Sequence, residues 1–494
     1  MILRRYLFGG GSFGKLIVLI GLLIGAPLAV LPFYPEELRY APAFLAPMLF
    51  SALLGIVISI KTRVQSETIT EWQSPMQRGS LIILSVWCYG FIMGAAPHIL
   101  SGRLDIVRAL FESVSAWTTV GLTLADVAST PNIFLFYRSL MQYCGGIGFI
   151  LMMVMVVQGK QAMTLYNAEG HYDRLTPSLR QTARVIFSIY SGFLAVGVFL
   201  YKMFGMKLFD AICHSMAALS TAGVVTRAGS IGEYDSLPIE IISVALMLAG
   251  ASNFAVLLLL TEGKIRKILR ITEIRFMFGM IAVFVPLAAI SLTTGAGMGA
   301  GKSIRHALFG VVAALSTTGY TIMNYADWPP FALGLLLMLM LIGGSSGSTA
   351  GGIKLSRLYL MLRIAYENIR KRLSPAFKTA APSYYTFRGK TQIDSAIIMD
   401  TFGFVVCFAG VYIIGTLLLT LTSGCSLFEA MFEFASAFGT AGIPGRLMNS
   451  EANTATLIVK MAGMILGRLE IYVVFIGIYS SAHLLRRKLR RKSS

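Results

Sequence analysis

A succession of apolar stretches runs along this chain, each near the length that crosses a lipid bilayer. Ten such stretches occur, with approximate bounds 13–32, 43–60, 79–100, 132–157, 183–204, 237–261, 272–294, 329–372, 396–421 and 453–485. Because a helix of about 20 apolar residues spans the hydrocarbon core, the sequence predicts an all-α membrane protein with about ten transmembrane helices. The composition agrees, since 56% of the 494 residues are hydrophobic and 13% are charged.

The basic residues are concentrated in particular loops. They gather at the N-terminus, in the tail, and in the loops 61–78, 158–184, 262–275 and 353–392. Since Lys and Arg accumulate on the cytoplasmic side of membrane proteins, both termini are predicted to be cytoplasmic. Although the formal charge is +19, the basic residues do not form the aromatic and basic platform that binds nucleic acid. The lipid bilayer is therefore an expected partner and nucleic acid is not. We interpret the first apolar stretch as a retained anchor helix, because no persuasive cleavage site follows it.

Four segments on the opposite side repeat one short pattern. ALFESVSAWTTVG ends at Gly121, AICHSMAALSTAG at Gly223, ALFGVVAALSTTG at Gly319 and AMFEFASAFGTAG at Gly442, without gaps. Alanine stands twelve and five residues before each glycine, and threonine stands two residues before it. Such identity within one chain is strong evidence of duplication.

Each repeated segment is predicted to be a short helix followed by a turn. Alanines seven residues apart share one helix face and permit close packing in lipid, and about twelve residues are too few to span a bilayer. The chain must then turn at Thr-x-Gly, where glycine permits unusual backbone conformations. Irregular backbone at membrane depth is tolerated where it lines a cavity. Four turns around one axis would form a ring of carbonyl oxygens that replaces the hydration shell of a monovalent cation, with the negative helix ends aimed at it.

The candidate filter residues are the three residues of each turn: Thr119, Val120, Gly121, Thr221, Ala222, Gly223, Thr317, Thr318, Gly319, Thr440, Ala441 and Gly442.

Two further features lie in the last two repeats. The stretch 329–372 is too long for one span, and the glycines and serines in its middle disfavour a regular helix, so we predict a broken span, with a simple helix kink as the alternative. The broken part contains Gly343, Gly344, Ser345, Ser346, Gly347, Ser348, Thr349, Ala350, Gly351, Gly352 and Lys354. Arg468 lies near the centre of the last span, where a cation is costly. It forms either part of the pathway or a structural ion pair with Glu470 or another buried carboxylate.

Two carboxylates occupy one column of the repeat, nine residues before the glycine: Glu112 and Glu433. Each either attracts cations or bonds the backbone of the loop, and the structural role is favoured. The sequence AGMGAGKS at 296–303 is close to a phosphate-binding loop, but it lacks the first glycine and the preceding strand that such a loop needs. No nucleophile, HExxH motif or buried carboxylate pair is present, so the chain is not expected to be an enzyme or to need a cofactor.

At the four turn glycines, the broken span and Gly467-Arg468-Leu469-Glu470, the sequence resembles the Trk/Ktr/HKT potassium transporter family. Its two extra N-terminal spans are similar to those of the Trk-type bacterial membrane subunit. The resemblance implies fourfold pseudosymmetric helix, pore-loop, helix repeats. The implied division is an N-terminal two-helix extension at 1–70 and repeats at 71–170, 171–268, 269–375 and 376–494, the last with the basic tail.

The resemblance also implies a function, namely potassium uptake across the bacterial inner membrane through a gated pore, as a symport in some members. Carbonyls at and before each turn glycine would select potassium as the bound substrate, 343–354 would be the gate, and Arg468 would be an electrostatic barrier. A homodimer and a cytoplasmic nucleotide-binding regulatory subunit are the implied partners.

Two alternatives stay open. One is a sodium-permeable or less selective transporter, because the middle residues of the four turns differ, and the other is a secondary solute transporter.

Overall fold

The computed structural model describes residues 12–63, 75–148, 179–373, 382–445 and 452–490. The α-helices are α1 Ser12–Gly25, α2 Ala41–Arg63, α3 Pro75–Leu100, α4 Ile106–Trp117, α5 Asn132–Ile147, α6 Leu179–Met203, α7 Leu208–Leu219, α8 Leu237–Gly250, α9 Phe254–Thr261, α10 Ile265–Ile268, α11 Thr272–Gly295, α12 Ala300–Leu315, α13 Pro330–Ile342, α14 Leu355–Leu373, α15 Ser395–Ser423, α16 Leu427–Phe438, α17 Thr454–Arg468 and α18 Ile471–Arg490. Short 3₁₀ helices cover Ala26–Phe33, Pro35–Tyr40, Ser230–Tyr234 and Tyr325–Asp327. The strands β1 Ser383–Thr386 and β2 Gly389–Gln392 form an antiparallel hairpin in which Ser383 pairs with Gln392.

The predicted all-α membrane fold is confirmed. Within the described ranges, six helices are long and apolar enough to cross a membrane, or up to eight if each of two bent helix pairs is one span. The total of about ten spans stays a prediction. Much of the predicted basic cytoplasmic surface, at 1–11, 64–74, 149–178, 374–381 and 491–494, lies outside the described residues.

The chain divides into two compact units. One comprises Met1–Thr118, Thr123–Phe187 and Leu469–Ser494, and the other comprises Thr119–Leu122 and Ser188–Arg468. All four Thr-x-Gly turns therefore belong to the second unit. The division at 70, 170, 268 and 375 stays a prediction.

In the first unit, α1 and α2 pack closely through small residues. A Cβ added at Gly21 would lie 2.7 Å from the Ser51 Cβ, and one at Gly55 would lie 2.9 Å from the Val18 nitrogen. Such close backbone approach is how helices associate in lipid, where no hydrophobic force drives them together. Aromatic packing then joins α2 to α5, since the rings of Phe44 and Tyr137 lie 5.2 Å apart.

The four short helices form as the repeat predicts. Three of them, α4, α7 and α16, have 12 residues, and α12 has 16. The alanines of the two repeated columns are at most 2% exposed, as expected for a packing stripe: Ala109, Ala116, Ala211, Ala218, Ala307, Ala314, Ala430 and Ala437. Two of the four N-termini have side-chain caps, namely Asp105 before α4 and the capping box of Ser426 and Glu429 in α16.

The helix that follows the turn is interrupted in the second, third and fourth repeats, whereas we expected an interruption only in the third. The stretches 237–261 and 453–485, predicted as continuous spans, are corrected here, whereas 132–157 is described only as far as Gly148. α5 ends before Gly148, whose φ is 89°, and 149–157 lies outside the described residues. α8 and α9 are separate helices bent by 117°, because Asn253 caps α9. α17 ends at Arg468, two residues before Glu470, whose φ is 56°.

The packing of α15 against α16 can be tested at Gly415 in α15. A Cβ at Gly415 would collide with the ring of Phe434 in α16, whereas one at Gly410 in the same helix would meet no atom within 4 Å. Gly415→Ala should therefore lower stability by about 1–3 kcal/mol, whereas Gly410→Ala should change it by less than about 1 kcal/mol. Thermal unfolding of both purified variants in detergent measures the difference. Equal melting temperatures would contradict this α15–α16 contact.

Candidate functional site

The four Thr-x-Gly turns share an unusual backbone conformation. Their threonines have left-handed φ angles of 58°, 51°, 55° and 55°, at Thr119, Thr221, Thr317 and Thr440. Their glycines are also left-handed, with φ of 85°, 64°, 77° and 66°, at Gly121, Gly223, Gly319 and Gly442. For a β-branched residue this conformation is a true outlier, and such strain of about 1–3 kcal/mol per residue clusters at functional sites.

The turns form a closed ring. A Cβ added at Gly121 would collide with the Ala222 carbonyl oxygen, and one at Gly223 with that of Thr318. In the same way, Gly319 faces the carbonyl of Ala441. Gly442 closes the ring by facing the carbonyl of Val120. Each turn therefore needs glycine for the space that its neighbour's carbonyl occupies, as well as for its φ angle.

The amide groups of the turns point back into the short helices. In each of three repeats, the middle residue of the turn donates its N–H to the carbonyl five residues earlier. These bonds are Ala222 to Ala217 at 3.0 Å, Thr318 to Ala313 at 2.8 Å and Ala441 to Ser436 at 2.9 Å. The donors are thus engaged at the negative helix ends, while the carbonyl oxygen of each of these residues lies against the glycine of the preceding turn. An arrangement of oxygens beside negative helix ends favours a cation.

The broken segment of the third repeat packs against three of the turn threonines. The Thr349 hydroxyl lies 3.0 Å from the Thr221 hydroxyl, and the Gly351 N–H donates to Thr317 Oγ1 at 3.0 Å. A Cβ at Gly351 would collide with Thr440 Oγ1. The structure therefore brings the predicted gate segment and the predicted filter residues together in one site.

Arg468 reaches this segment from the end of α17. Its Nη1 donates to the Thr349 carbonyl at 2.6 Å. The preceding Gly467 makes this approach possible, because a Cβ there would collide with the Phe438 carbonyl at the end of α16. Arg468 therefore lies where α17, the last short helix and the broken segment meet.

Glu112 and Glu433 both form buried ion pairs, which favours the structural interpretation of this column. In the first unit, Glu112 accepts from the Leu124 N–H at 2.6 Å and from the Thr123 hydroxyl at 2.8 Å, and it lies 3.2 Å from Arg138. In the second unit, Glu433 lies 2.6 Å from Lys460, and both side chains are 1% exposed. Each carboxylate is neutralised by a partner on the helix that follows its turn.

Sequence reasoning missed both basic partners, although a signal was present. Arg138 and Lys460 stand 17 and 18 residues after their turn glycines, within apolar helices. A basic residue in such a helix implies a nearby carboxylate, and Glu112 and Glu433 share one repeat column.

His214 occupies the same column in the second repeat. Its Nε2 lies 3.2 Å from the Thr226 hydroxyl after its own turn, and the residue also contacts the third turn. Its Nδ1 lies 3.2 Å from the Tyr320 hydroxyl, and that hydroxyl donates to the His214 carbonyl at 2.9 Å. Because Tyr320 directly follows Gly319, this contact joins the second and third turns.

Comparison with known proteins gives a consistent result. A family model described as TrkH, a cation transport protein, matches residues 50–482. The chain is 29% identical to the Trk system potassium uptake protein TrkG of Escherichia coli over 94% of this chain and 96% of that protein. It is 31% identical to the E. coli Trk system potassium uptake protein TrkH over 81% and 84% of the two chains. The crystal structure of the potassium transporter TrkH from Vibrio parahaemolyticus superposes with a TM-score of 0.82 at 26% identity, covering 96% of this chain and 98% of that one.

The pair of Glu433 and Lys460 leads to a testable outcome. Lys460→Met leaves a buried carboxylate without its cation, which typically costs about 3–5 kcal/mol. Adding Glu433→Gln should restore most of that loss. The exposed pair of Lys264 and Glu262 is the control, and Lys264→Met should cost less than about 1 kcal/mol. Chemical unfolding in detergent gives the three values, and a stable Lys460→Met single variant would contradict the pairing.

Proposed function

The chain belongs to the TrkH family of cation transport proteins, and from this premise we propose that it takes up potassium across the bacterial inner membrane through a gated pore. The observation that carries the proposal is the closed ring of four turns, in which each turn glycine lies against the carbonyl oxygen that precedes the glycine of the next turn. Potassium is the transported substrate, and no covalent step or cofactor is needed.

The ring acts as a single-layer selectivity filter. A potassium ion exchanges its hydration shell for the backbone carbonyl oxygens at and before the four glycines. The middle residues of the turns differ in their side chains, but they contribute backbone carbonyls. Variation among Val120, Ala222, Thr318 and Ala441 is therefore compatible with one potassium-binding layer. Side-chain variation in the turns is therefore no argument against a potassium-selective filter.

The segment Gly343–Lys354 is the gate, and Arg468 is the barrier beside it. Glycine and serine keep the free-energy cost of rearranging the segment low, since few side-chain contacts must be broken. The Arg468 guanidinium repels a cation while it donates to the Thr349 carbonyl. Opening moves the segment away from the threonines and takes the Thr349 carbonyl away from Arg468.

The distribution of basic residues among the loops supports a cytoplasmic position for both termini. A basic cytoplasmic surface suits a separate nucleotide-binding regulatory subunit of the Trk system, and the working assembly is a homodimer. The four repeats share one orientation, which favours a pore over alternating access in a secondary transporter with inverted repeats.

Gly319→Ser tests the filter. The added side chain would collide with the Ala441 carbonyl, so we expect the ratio of rubidium to sodium uptake to fall by about tenfold, as for a loss of about 1.4 kcal/mol in discrimination. The assay is ion uptake by potassium-uptake-deficient cells, in which the unaltered protein must restore growth at low external potassium. Gly424→Ser is the matched control, because Gly424 is also left-handed with no atom within 4 Å of an added Cβ. An unchanged ratio in Gly319→Ser would remove this glycine from the filter.

Arg468→Ala tests the barrier. Removing the positive charge should raise potassium flux severalfold with little change in the rubidium to sodium ratio, because the turns remain intact. Flux into proteoliposomes measures the effect. Loss of folded protein in detergent would instead support a structural ion pair at Arg468, and Arg468→Lys, which keeps a charge of the same sign, should then restore folding.

A further inference from the structure

The gate segment lies along the break between α8 and α9. The Ser345 N–H donates to the Ala251 carbonyl at 2.9 Å, and the Thr349 N–H donates to the Gly250 carbonyl at 3.1 Å. In the opposite direction, the Phe254 N–H donates to the Gly347 carbonyl at 3.2 Å. The last carbonyls of a helix and the first N–H groups of the next have no partners within those helices. Here the gate segment supplies such partners on both sides of the break.

Asn253 uses both ends of its amide at this junction. Its Oδ1 accepts from the Ala255 N–H at 2.7 Å, which caps α9. Its Nδ2 donates to the Ser346 carbonyl at 2.6 Å. These partners fix the orientation of the amide, because only its nitrogen can donate to a carbonyl. A Cβ at Gly347 would lie 3.0 Å from Nδ2, so the segment is tightly fitted around this side chain.

We propose that Asn253 is a positioning residue that latches the gate segment in the closed arrangement; the inference rests on the gating role proposed above. Asn253 holds the segment at Ser346, and Arg468 holds it at Thr349. The two anchors come from the helices that follow the second and fourth turns. Displacing the segment must break the Asn253 bond together with the backbone bonds across the break. Opening is therefore coupled to the α8–α9 junction.

The test separates the two functions of the amide. Asn253→Asp keeps an acceptor for the Ala255 N–H but places a carboxylate oxygen against the Ser346 carbonyl. Asn253→Ser keeps the cap and removes the donor that reaches Ser346. Both variants should raise potassium flux into proteoliposomes by roughly 3- to 10-fold, the range expected for one lost hydrogen bond. The rubidium to sodium ratio should not change, because the turns are untouched.

Asn453→Asp is the matched control, since Asn453 accepts from the Ala455 N–H at 3.2 Å and is exposed. It should leave both flux and selectivity unchanged. Unaltered flux in Asn253→Asp and Asn253→Ser, with folded protein confirmed by size-exclusion chromatography, would overturn the latch while leaving the potassium pathway intact. A fall in the rubidium to sodium ratio in either variant would also overturn it, because Asn253 would then act on the filter. Absence of potassium flux through the unaltered protein would overturn the proposed function and the latch together.

Discussion

The contact between each turn glycine and the carbonyl oxygen of the next turn is the constraint on which the rest of the second unit depends. The same contact is repeated four times around the ring, so a change in the conformation of one turn affects its neighbour. This explains how four left-handed threonines persist, because strain of this kind survives only where the surroundings determine the backbone conformation. The alanines of the short helices are buried at the same time, as expected for small residues that permit close helix packing in lipid.

Charges near the turns are arranged so that the backbone carries the cation chemistry. Glu112 and Glu433 lie on the short helices, yet each is paired with a basic residue and buried. Such a pair is nearly neutral as a whole, so it adds little to the potential in the pathway. Glu112 also bonds the chain directly after the first turn, at Thr123 and Leu124. We infer that these carboxylates shape the loops around the filter, while neutral carbonyl oxygens contact the ion.

Internal repetition made the turns predictable from the sequence, because four copies in register reveal which positions cannot vary. The glycine conformations followed from that pattern, but the left-handed threonines did not, since propensity argues against them. The break in the third repeat was visible as a run of glycine and serine. The break after α8 was hidden, because it needs only a short interruption and one capping asparagine, Asn253, within an apolar stretch. The partners of Glu112 and Glu433 depend on tertiary contacts between helices, which repeat alignment alone does not reveal.

The proposed gate segment breaks the fourfold pattern in a way that the geometry accounts for. All four turns contribute equivalently to the ring, whereas only the third repeat supplies a long glycine- and serine-rich segment. One segment is sufficient, since it reaches Thr221, Thr317 and Thr440 at once. If the segment moves as proposed, Thr221 and Thr317 lose the contacts made by Thr349 and Gly351. In the proposed mechanism, the filter and the gate are thus linked through the side-chain hydroxyls of Thr221 and Thr317.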